Sequence, residues 1–459
     1  MTEVTRRDFV KGAAVVGAGA AVGLGALKRS TASWAGANER VRVAVIGING
    51  RGKSHLGGFT KQENVEVATI CDVDERLFAP RIKDFFTSKG LKEPKTEFDL
   101  RRVMEDKDIH AVSIATPNHW HSLAAIWACQ AGKDVYVEKP GSHNLFEGRQ
   151  MVAAARKYKR IVQHGTQNRS SPHIMEGVRK LREGIVGDLY AARGLDYKIV
   201  RNMGRITPGV CPPGLDWDKW LGPKAMRPFS EFWLRNVHFC GLDLSSGGFA
   251  NQAVHELDII RWGMGLDRHP VQVTAVGRKF LHKDDDCTAP SHYTATFQFD
   301  KPDTYVTYEY RSWYTNGEAG FRDQYPFVQP DFPTGTIFLG TEGYLIFPDY
   351  VSYRTFFGVK AKPGPFREGP SEGCGVMANE PHMRNWVAAC RARDSKLLTA
   401  EIEEGHKSMA LCLLARTSYQ VERPVKFDPD TETIVGDDEA NALLNEPEYR
   451  APYVVPKEV

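Results

Sequence analysis

Val41-Arg42-Val43-Ala44-Val45-Ile46-Gly47-Ile48-Asn49-Gly50-Arg51-Gly52 is the stretch that decides the fold. Its first half is short, apolar and rich in β-branched residues, the pattern of a buried parallel strand. The glycine-rich half predicts a tight turn opening a helix that runs to about Gln62. Downstream, Val65–Cys71 reads as a second strand ending at Asp72, and His110–Thr116 as a third, closed by Pro117. A helix follows over Ser122–Ala131, stopped by Gly132, and then a strand over Asp134–Val137. Strands alternating with helices over about 120 residues predict a doubly wound parallel sheet.

A glycine-rich turn between such a strand and helix can set backbone N–H groups and the helix dipole against a pyrophosphate. Here the frame is Gly47-x-Asn49-x-x-Gly52, with Gly50 and Arg51 inside it. Asparagine stands where the middle glycine is usual, and it tolerates positive φ better than most residues. Asp72, at the end of the next strand, is placed to accept from the ribose hydroxyls. Its charge would repel a 2′-phosphate, so NAD is expected in preference to NADP.

Farther along, the pattern changes. Val271–Val276, Tyr293–Phe299, Tyr305–Tyr310 and Thr336–Phe347, with Gly343 at a turn, are strand-like with no helices between them. They predict a largely antiparallel sheet. Met383, Trp386, Val387 and Cys390 recur at helical spacing, and Ala400–Tyr419 is a second late helix. The stretch 364–380 has a loop composition, and the tail after Phe427 reads as an extended arm.

At the other end, Thr5-Arg6-Arg7-Asp8-Phe9-Val10-Lys11 precedes the uncharged, Gly/Ala-rich run Gly12–Leu27, then Lys28 and Arg29, with Ala35-Gly36-Ala37 at a cleavage position. Paired arginines before a mildly apolar run are the mark of a twin-arginine signal. Sixteen small residues fall short of the roughly 20 that span a bilayer, so no permanent membrane span is expected. The chain is expected in the periplasm, with the twin-arginine translocation machinery as a transient partner.

Composition closes other routes. With 459 residues, two domains are expected. A net charge of +3, without a long basic tract after the signal, leaves no footprint for nucleic acid. The eight cysteines include no C-x-x-C pair and imply neither a zinc knuckle nor a disulfide scaffold.

The most specific chemistry lies in Thr116-Pro117-Asn118-His119-Trp120-His121, followed at the next strand end by Glu138-Lys139-Pro140. With the glycine turn and Asp72, these motifs make the chain resemble the Gfo/Idh/MocA family, which includes inositol dehydrogenases and glucose–fructose oxidoreductases. The resemblance covers about Arg40 to Arg423. It implies an α/β protein: an N-terminal Rossmann dinucleotide-binding domain plus a C-terminal α/β domain with an open, mostly antiparallel sheet. The division expected is 1–37 signal, 38–160 NAD-binding domain, 161–425 substrate and oligomerisation domain, and 426–459 C-terminal arm. It also implies a homodimer or homotetramer formed through the sheet face.

By the same resemblance, Gly47, Asn49, Gly50, Arg51, Gly52, Asp72, Thr116, Pro117, Asn118, His121, Glu138, Lys139 and Pro140 surround the cofactor. Lys139 lies beside the reacting carbinol. A lysine desolvated in a cleft can have a lowered pKa and take part in removing the O–H proton; its plainer reading is a surface ion pair with Glu138. A second motif, Gly247 to Asp258, carries His255 four residues after Asn251. On a helix that spacing shares one face. The family usually has an acid at the position of Asn251, and asparagine can hold a hydroxyl but cannot act as a base. The catalytic set is thus Lys139, His255 and Asn251, with Gln167, Arg169 and Asp258 as weaker substrate candidates. Trp313 and Tyr314 could stack on a sugar ring or belong to the core. His119 and His121 lack a third ligand, so no metal is expected.

The resemblance implies an NAD(P)-dependent oxidoreductase, with NAD preferred, acting on a CH–OH group of a sugar, sugar derivative or polyol. Export adds a constraint, because free NAD is scarce outside the cytoplasm: the cofactor should be tightly bound and recycled. Two alternatives stand beside this. One is a glycoside-cleaving enzyme that transiently oxidises C3 and then eliminates; the other is a non-catalytic sugar-binding protein.

Overall fold

The computed structural model describes residues 40–198, 200–312, 334–369, 379–445 and 447–459. The signal segment, Trp313 and Tyr314 lie outside the described residues.

The first sheet is built from β1 (Val41–Ile46), β2 (Val65–Cys71), β3 (Lys95–Glu97), β4 (Ala111–Ile114), β5 (Asp134–Val137) and β6 (Val162–His164). All pairs are parallel, in the order β3-β2-β1-β4-β5-β6. Helices α1 (Arg51–Phe59), α2 (Phe78–Phe85), α3 (Leu100–Glu105), α4 (His121–Gln130) and α5 (Leu145–Lys157) connect them. Strands β1, β4 and β5 are almost wholly buried, as sheets covered on both faces require. Order reverses between β1 and β4, so the crevice for a ligand opens at their carboxyl ends.

Then follow α6 (Pro172–Arg182), β7 (Leu189–Asp196), α7 (Trp217–Leu221), α8 (Glu231–Cys240) and α9 (Ala253–Met264). The remaining strands are β8 (Gln272–Arg278), β9 (His292–Asp300), β10 (Asp303–Arg311), β11 (Thr334–Gly340), β12 (Gly343–Phe347), β13 (Tyr353–Phe357), β14 (Lys362–Arg367), β15 (Val425–Asp428) and β16 (Thr433–Ile434). With β7 they make, among the described residues, one ten-stranded sheet, β14-β13-β12-β11-β7-β10-β9-β8-β15-β16. Every pair in it is antiparallel except β7 with β10. Burial alternates along β9 and β10, so one face packs inward and the other is open.

The late helices are α10 (Asn379–Ala392), α11 (Ile402–Gln420) and α12 (Asp438–Asn445). Helix α11 is buried on nearly every side, which explains why its sequence lacks a polar stripe. It lies between β8 and α5 and touches α9. Helix α10 returns to the first sheet, where Met383 and Trp386 pack with Val43, Phe59 and Tyr136.

Three expectations need correction. The stretch 364–380 is not all loop: β14 extends to Arg367 and α10 begins at Asn379, because β14 pairs with β13. The tail after Phe427 is not simply extended, since it holds β16 and α12 before residues 447–459 run back to the first domain. Although no disulfide was implied, Cys240 and Cys287, 47 residues apart, are joined. Such a spacing carries no motif, so only the fold brings the pair together. Among the described residues no helix is long and apolar enough to cross a membrane.

Candidate active site

The turn after β1 is shaped by two close approaches. Gly47 has φ +81°, and a Cβ there would lie 2.6 Å from the Ala115 oxygen. A Cβ on Gly52 would lie 1.9 Å from the Gly47 oxygen. Neither position admits a side chain. Gly50, with φ +41°, has open space before it. Asn49 accepts from Arg81 Nη2 at 3.1 Å. Asp72 fixes the neighbouring backbone: its carboxylate accepts from the N–H of Ile48 at 2.8 Å and of Asp74 at 3.1 Å. Burial pushes this carboxyl up to about 6, against the pull of those N–H donors.

These residues open onto a cavity of about 450 Å³, lined also by Thr116, Pro117, Asn118, His121, Glu138, Lys139 and Asn251. Thr116 Oγ1 and Asn118 Nδ2 are buried there with no hydrogen-bond partner among the described residues. Glycines that a Cβ would block, a helix N-terminus and unpartnered polar atoms facing one cavity fit a dinucleotide. The two nitrogens of His121 face the carbonyl oxygens of Thr116 (2.8 Å) and Pro140 (2.7 Å), so this ring braces the two strand ends. His119 instead faces the Trp220 oxygen at 2.9 Å, so the two histidines do not converge.

Glu138 and Lys139 part ways. Glu138 is buried, and its Oε1 accepts from Arg51 Nε at 2.7 Å and lies 3.0 Å from His55 Nε2. Burial opposes its charge, but Arg51 and His55 outweigh that and hold it well below the usual carboxylate range. Lys139, before a cis peptide to Pro140, sends its Nζ across to Asn251, at 2.6 Å from the backbone oxygen and 3.2 Å from Oδ1. Burial brings this ammonium down to about 8.

The expected shared helix face does not form, because α9 begins at Ala253. Asn251 precedes the helix and lines the cavity, whereas His255 lies in the first helical turn, buried, outside the cavity lining and with Nδ1 unpartnered among the described residues. Burial holds its pKa well below the ordinary value. Gln167, its amide oriented to suit its neighbours, accepts from Arg51 Nη2 at 3.0 Å. Arg169 and Asp258 are brought together rather than onto a ligand: Arg169 Nε lies 2.8 Å from Asp258 Oδ2, both are buried, and neither lines the cavity.

Sequence reasoning missed a polar group beside this site. Glu256 Oε1 accepts from Tyr350 Oη at 2.6 Å and from Gln252 Nε2 at 2.9 Å, and Lys198 Nζ donates to Gln252 Oε1. Burial, helped by Asp196, pushes Glu256 up to about 7, and burial pushes Asp196 up to about 6. Glu256 sits beside His255 and offered a helical signal; Lys198 and Tyr350 arrive from distant segments and offered none.

The profile described as "Oxidoreductase family, NAD-binding Rossmann fold" matches residues 41–166, and that of the same family's C-terminal alpha/beta domain matches 185–299 and 376–455. The chain belongs to the Gfo/Idh/MocA oxidoreductase family. Its Rossmann domain is therefore of the NAD-binding kind. A twin-arginine translocation signal matches residues 3–23, so this Gfo/Idh/MocA protein is exported.

Relatives include a glycosyl hydrolase family 109 protein of Shewanella pealeana, 31% identical over 156 residues, 33% of this chain and 34% of that protein. Another, from Shewanella baltica, is 29% identical over 208 residues, 41% and 45% of the two chains. The match thus spans a third to just under half of these curated relatives. Among solved structures, an oxidoreductase domain protein from Kribbella flavida superposes with TM-score 0.65 at 16% identity, covering 84% of this chain and 99% of that one. Levoglucosan dehydrogenase, in complex with NADH and levoglucosan, gives 0.64 at 18%, covering 84% and 99%. Aldose-aldose oxidoreductase from Caulobacter crescentus gives 0.61 at 15%, covering 84% and 100%. At these identities the likeness is one of fold.

Proposed function

We propose that the protein oxidises and re-reduces a CH–OH group of a sugar or sugar derivative, with NAD kept bound between half-reactions. The observation that carries this is the placement of Lys139, held by Asn251 at the cavity wall instead of by its neighbour Glu138. NAD, when bound, accepts and returns the carbinol hydrogen as hydride. A neutral amine has two N–H donors and one lone pair. Both oxygens of Asn251 stand within reach of the donors, which leaves the lone pair for the substrate hydroxyl proton. With its pKa near 8, Lys139 can take up and return that proton near neutral pH. His255, buried near Lys139 and held uncharged but outside the cavity lining, is assigned a supporting part in proton handling from the family motif. Gly47 to Gly52 and Asp72 hold the nucleotide.

A second reading is favoured by the glycosyl hydrolase relatives. Transient oxidation at C3 would acidify C2–H, and elimination of the glycosidic leaving group, addition of water and re-reduction would give net hydrolysis. Oligomerisation is proposed through the open face of the large sheet, where Tyr305 is about half exposed.

The test begins with denaturing the purified protein and assaying the supernatant. About one NAD(H) per chain supports retention, and an empty protein that binds NAD weakly overturns it. A sugar panel scored by bleaching or appearance of bound-NADH absorbance, beside a panel of nitrophenyl glycosides, then separates the two readings. Silence in both panels would leave a sugar-binding role.

A further inference from the structure

We propose that the segment 214–221, clipped from behind by Arg450, is a latch that keeps the dinucleotide in its cleft. The proposal rests on the reading that NAD is retained. The cavity has two walls. One is the glycine turn with Asp72, and the other includes Leu215, Lys219, Trp220 and Tyr453. This second wall is fastened to the backbone immediately after Asp72. Glu75 N–H donates to the Gly214 oxygen at 2.8 Å, Asp216 N–H donates to the Val73 oxygen at 2.9 Å, and Asp74 pairs with Leu215 as an antiparallel bridge. The segment is therefore tied by one antiparallel bridge and two flanking hydrogen bonds to the backbone beside the cofactor cleft.

Helix α7 continues this closure. The indole Nε1 of Trp120 donates to the oxygens of Lys219 (3.0 Å) and Trp220 (3.1 Å), and Gly222 passes so close to Trp120 that a Cβ would lie 2.2 Å from its ring. The last residues of the chain then lock α7 from outside. Arg450 Nη1 donates to Asp218 Oδ1 at 2.6 Å, Arg450 Nη2 to the Asp218 oxygen at 2.9 Å, and Arg450 N–H to the Pro223 oxygen at 3.0 Å. The Tyr453 ring meets Trp120 edge-on, with centroids 5.2 Å apart. A nucleotide lying between the glycine turn and this strap leaves only when the bridge to 73–75 opens. That opening is opposed by the clip on Asp218. Local opening of this kind sets a release rate more than an affinity for the turn itself.

The experiment uses the mature full chain loaded with NADH, freed of excess nucleotide and diluted into excess NAD, with loss of bound-NADH fluorescence giving the release rate. Arg450→Ala is expected to release at least ten times faster than wild type while melting as one folded protein. Asp218→Asn answers the same question if Arg450→Ala fails to fold. Slow release by wild type and variants alike would overturn the latch and leave retention standing. Fast release by wild type with still faster release by the variants would overturn retention and leave the latch standing. Equally fast release by all would overturn both.

Discussion

Lys139 and Glu138 are neighbours in sequence that face different partners: the carboxylate meets Arg51 Nε at 2.7 Å, and the ammonium meets the Asn251 backbone oxygen at 2.6 Å. The lysine is thereby kept from a full counter-charge. If Asn251 were the acid usual in this family, a carboxylate about 3 Å from Nζ would favour the charged form. Asn251→Asp should move the alkaline rise in activity upward by about one to three pH units. Lys139→Met should cost about 10² to 10⁴ in turnover. An unchanged pH profile in Asn251→Asp would show that Lys139 does not carry the proton.

Asp72 makes a prediction about cofactor choice. Its carboxylate is held by Ile48 and Asp74 and titrates near 6. Above that pH its charge opposes a 2′-phosphate, and below it the group is neutral and the opposition fades. Preference for NAD over NADP, taken from the ratio of Kd values, should be marked at pH 8 and weaker at pH 5. Asp72→Ala should flatten the pH dependence. A ratio equally steep at both pH values in wild type would remove Asp72 from specificity.

The pair Arg169–Asp258 calls for a different readout. Both side chains are buried, and Ser408 Oγ also donates to Asp258 Oδ1 at 2.6 Å. Removing Arg169 strips the buried Asp258 of its ion-pair partner, and removing Asp258 leaves Arg169 only Glu404, 3.3 Å away, so breaking the pair costs up to about 3–5 kcal/mol. Asp258→Asn and Arg169→Met should therefore lower unfolding free energy in urea while leaving the substrate KM of the surviving folded enzyme close to wild type. A raised KM at unchanged stability would place either residue on the substrate.

Much of this was legible in the chain. The run Val41–Gly52 and the acid at Asp72 disclosed the Rossmann half, because a buried parallel strand, a turn that excludes Cβ atoms and a helix start leave local marks. The partner of Lys139 was not legible, since its ion pair with Glu138 and its contact with Asn251 are equally compatible with the sequence. The ion pair of Arg169 with Asp258 was hidden for the same reason: 89 positions separate them, and only packing shows them facing each other. Strand β7, helix α8 and the Cys240–Cys287 bond went unseen because their partners lie far along the chain. The strap is anchored where loop residues 214–216 meet loop residues 73–75, and loops carry no period.

Acid should weaken this fold, and the sign follows from its buried histidines. Burial lowers His119 to about 3 and His164, His238 and His382 to about 4, and it also lowers His55, His121, His143 and His255. In the unfolded chain each titrates near 6.5. As pH falls from about 6.5 to about 4, the unfolded state binds protons that the folded state refuses, so stability drops with pH. Asp72, Asp196 and Glu256 act in the opposite sense: raised to about 6 to 7, they bind protons in the fold first and regain stability on acidification. The histidines outnumber these acids, so the net slope should favour neutral pH. Tm measured in matched ionic strength should fall steadily from pH 7 to pH 4.5. A Tm that is flat or rises over that range would mean that the acids, not the histidines, control the balance. In that case Glu256→Gln should abolish the rise.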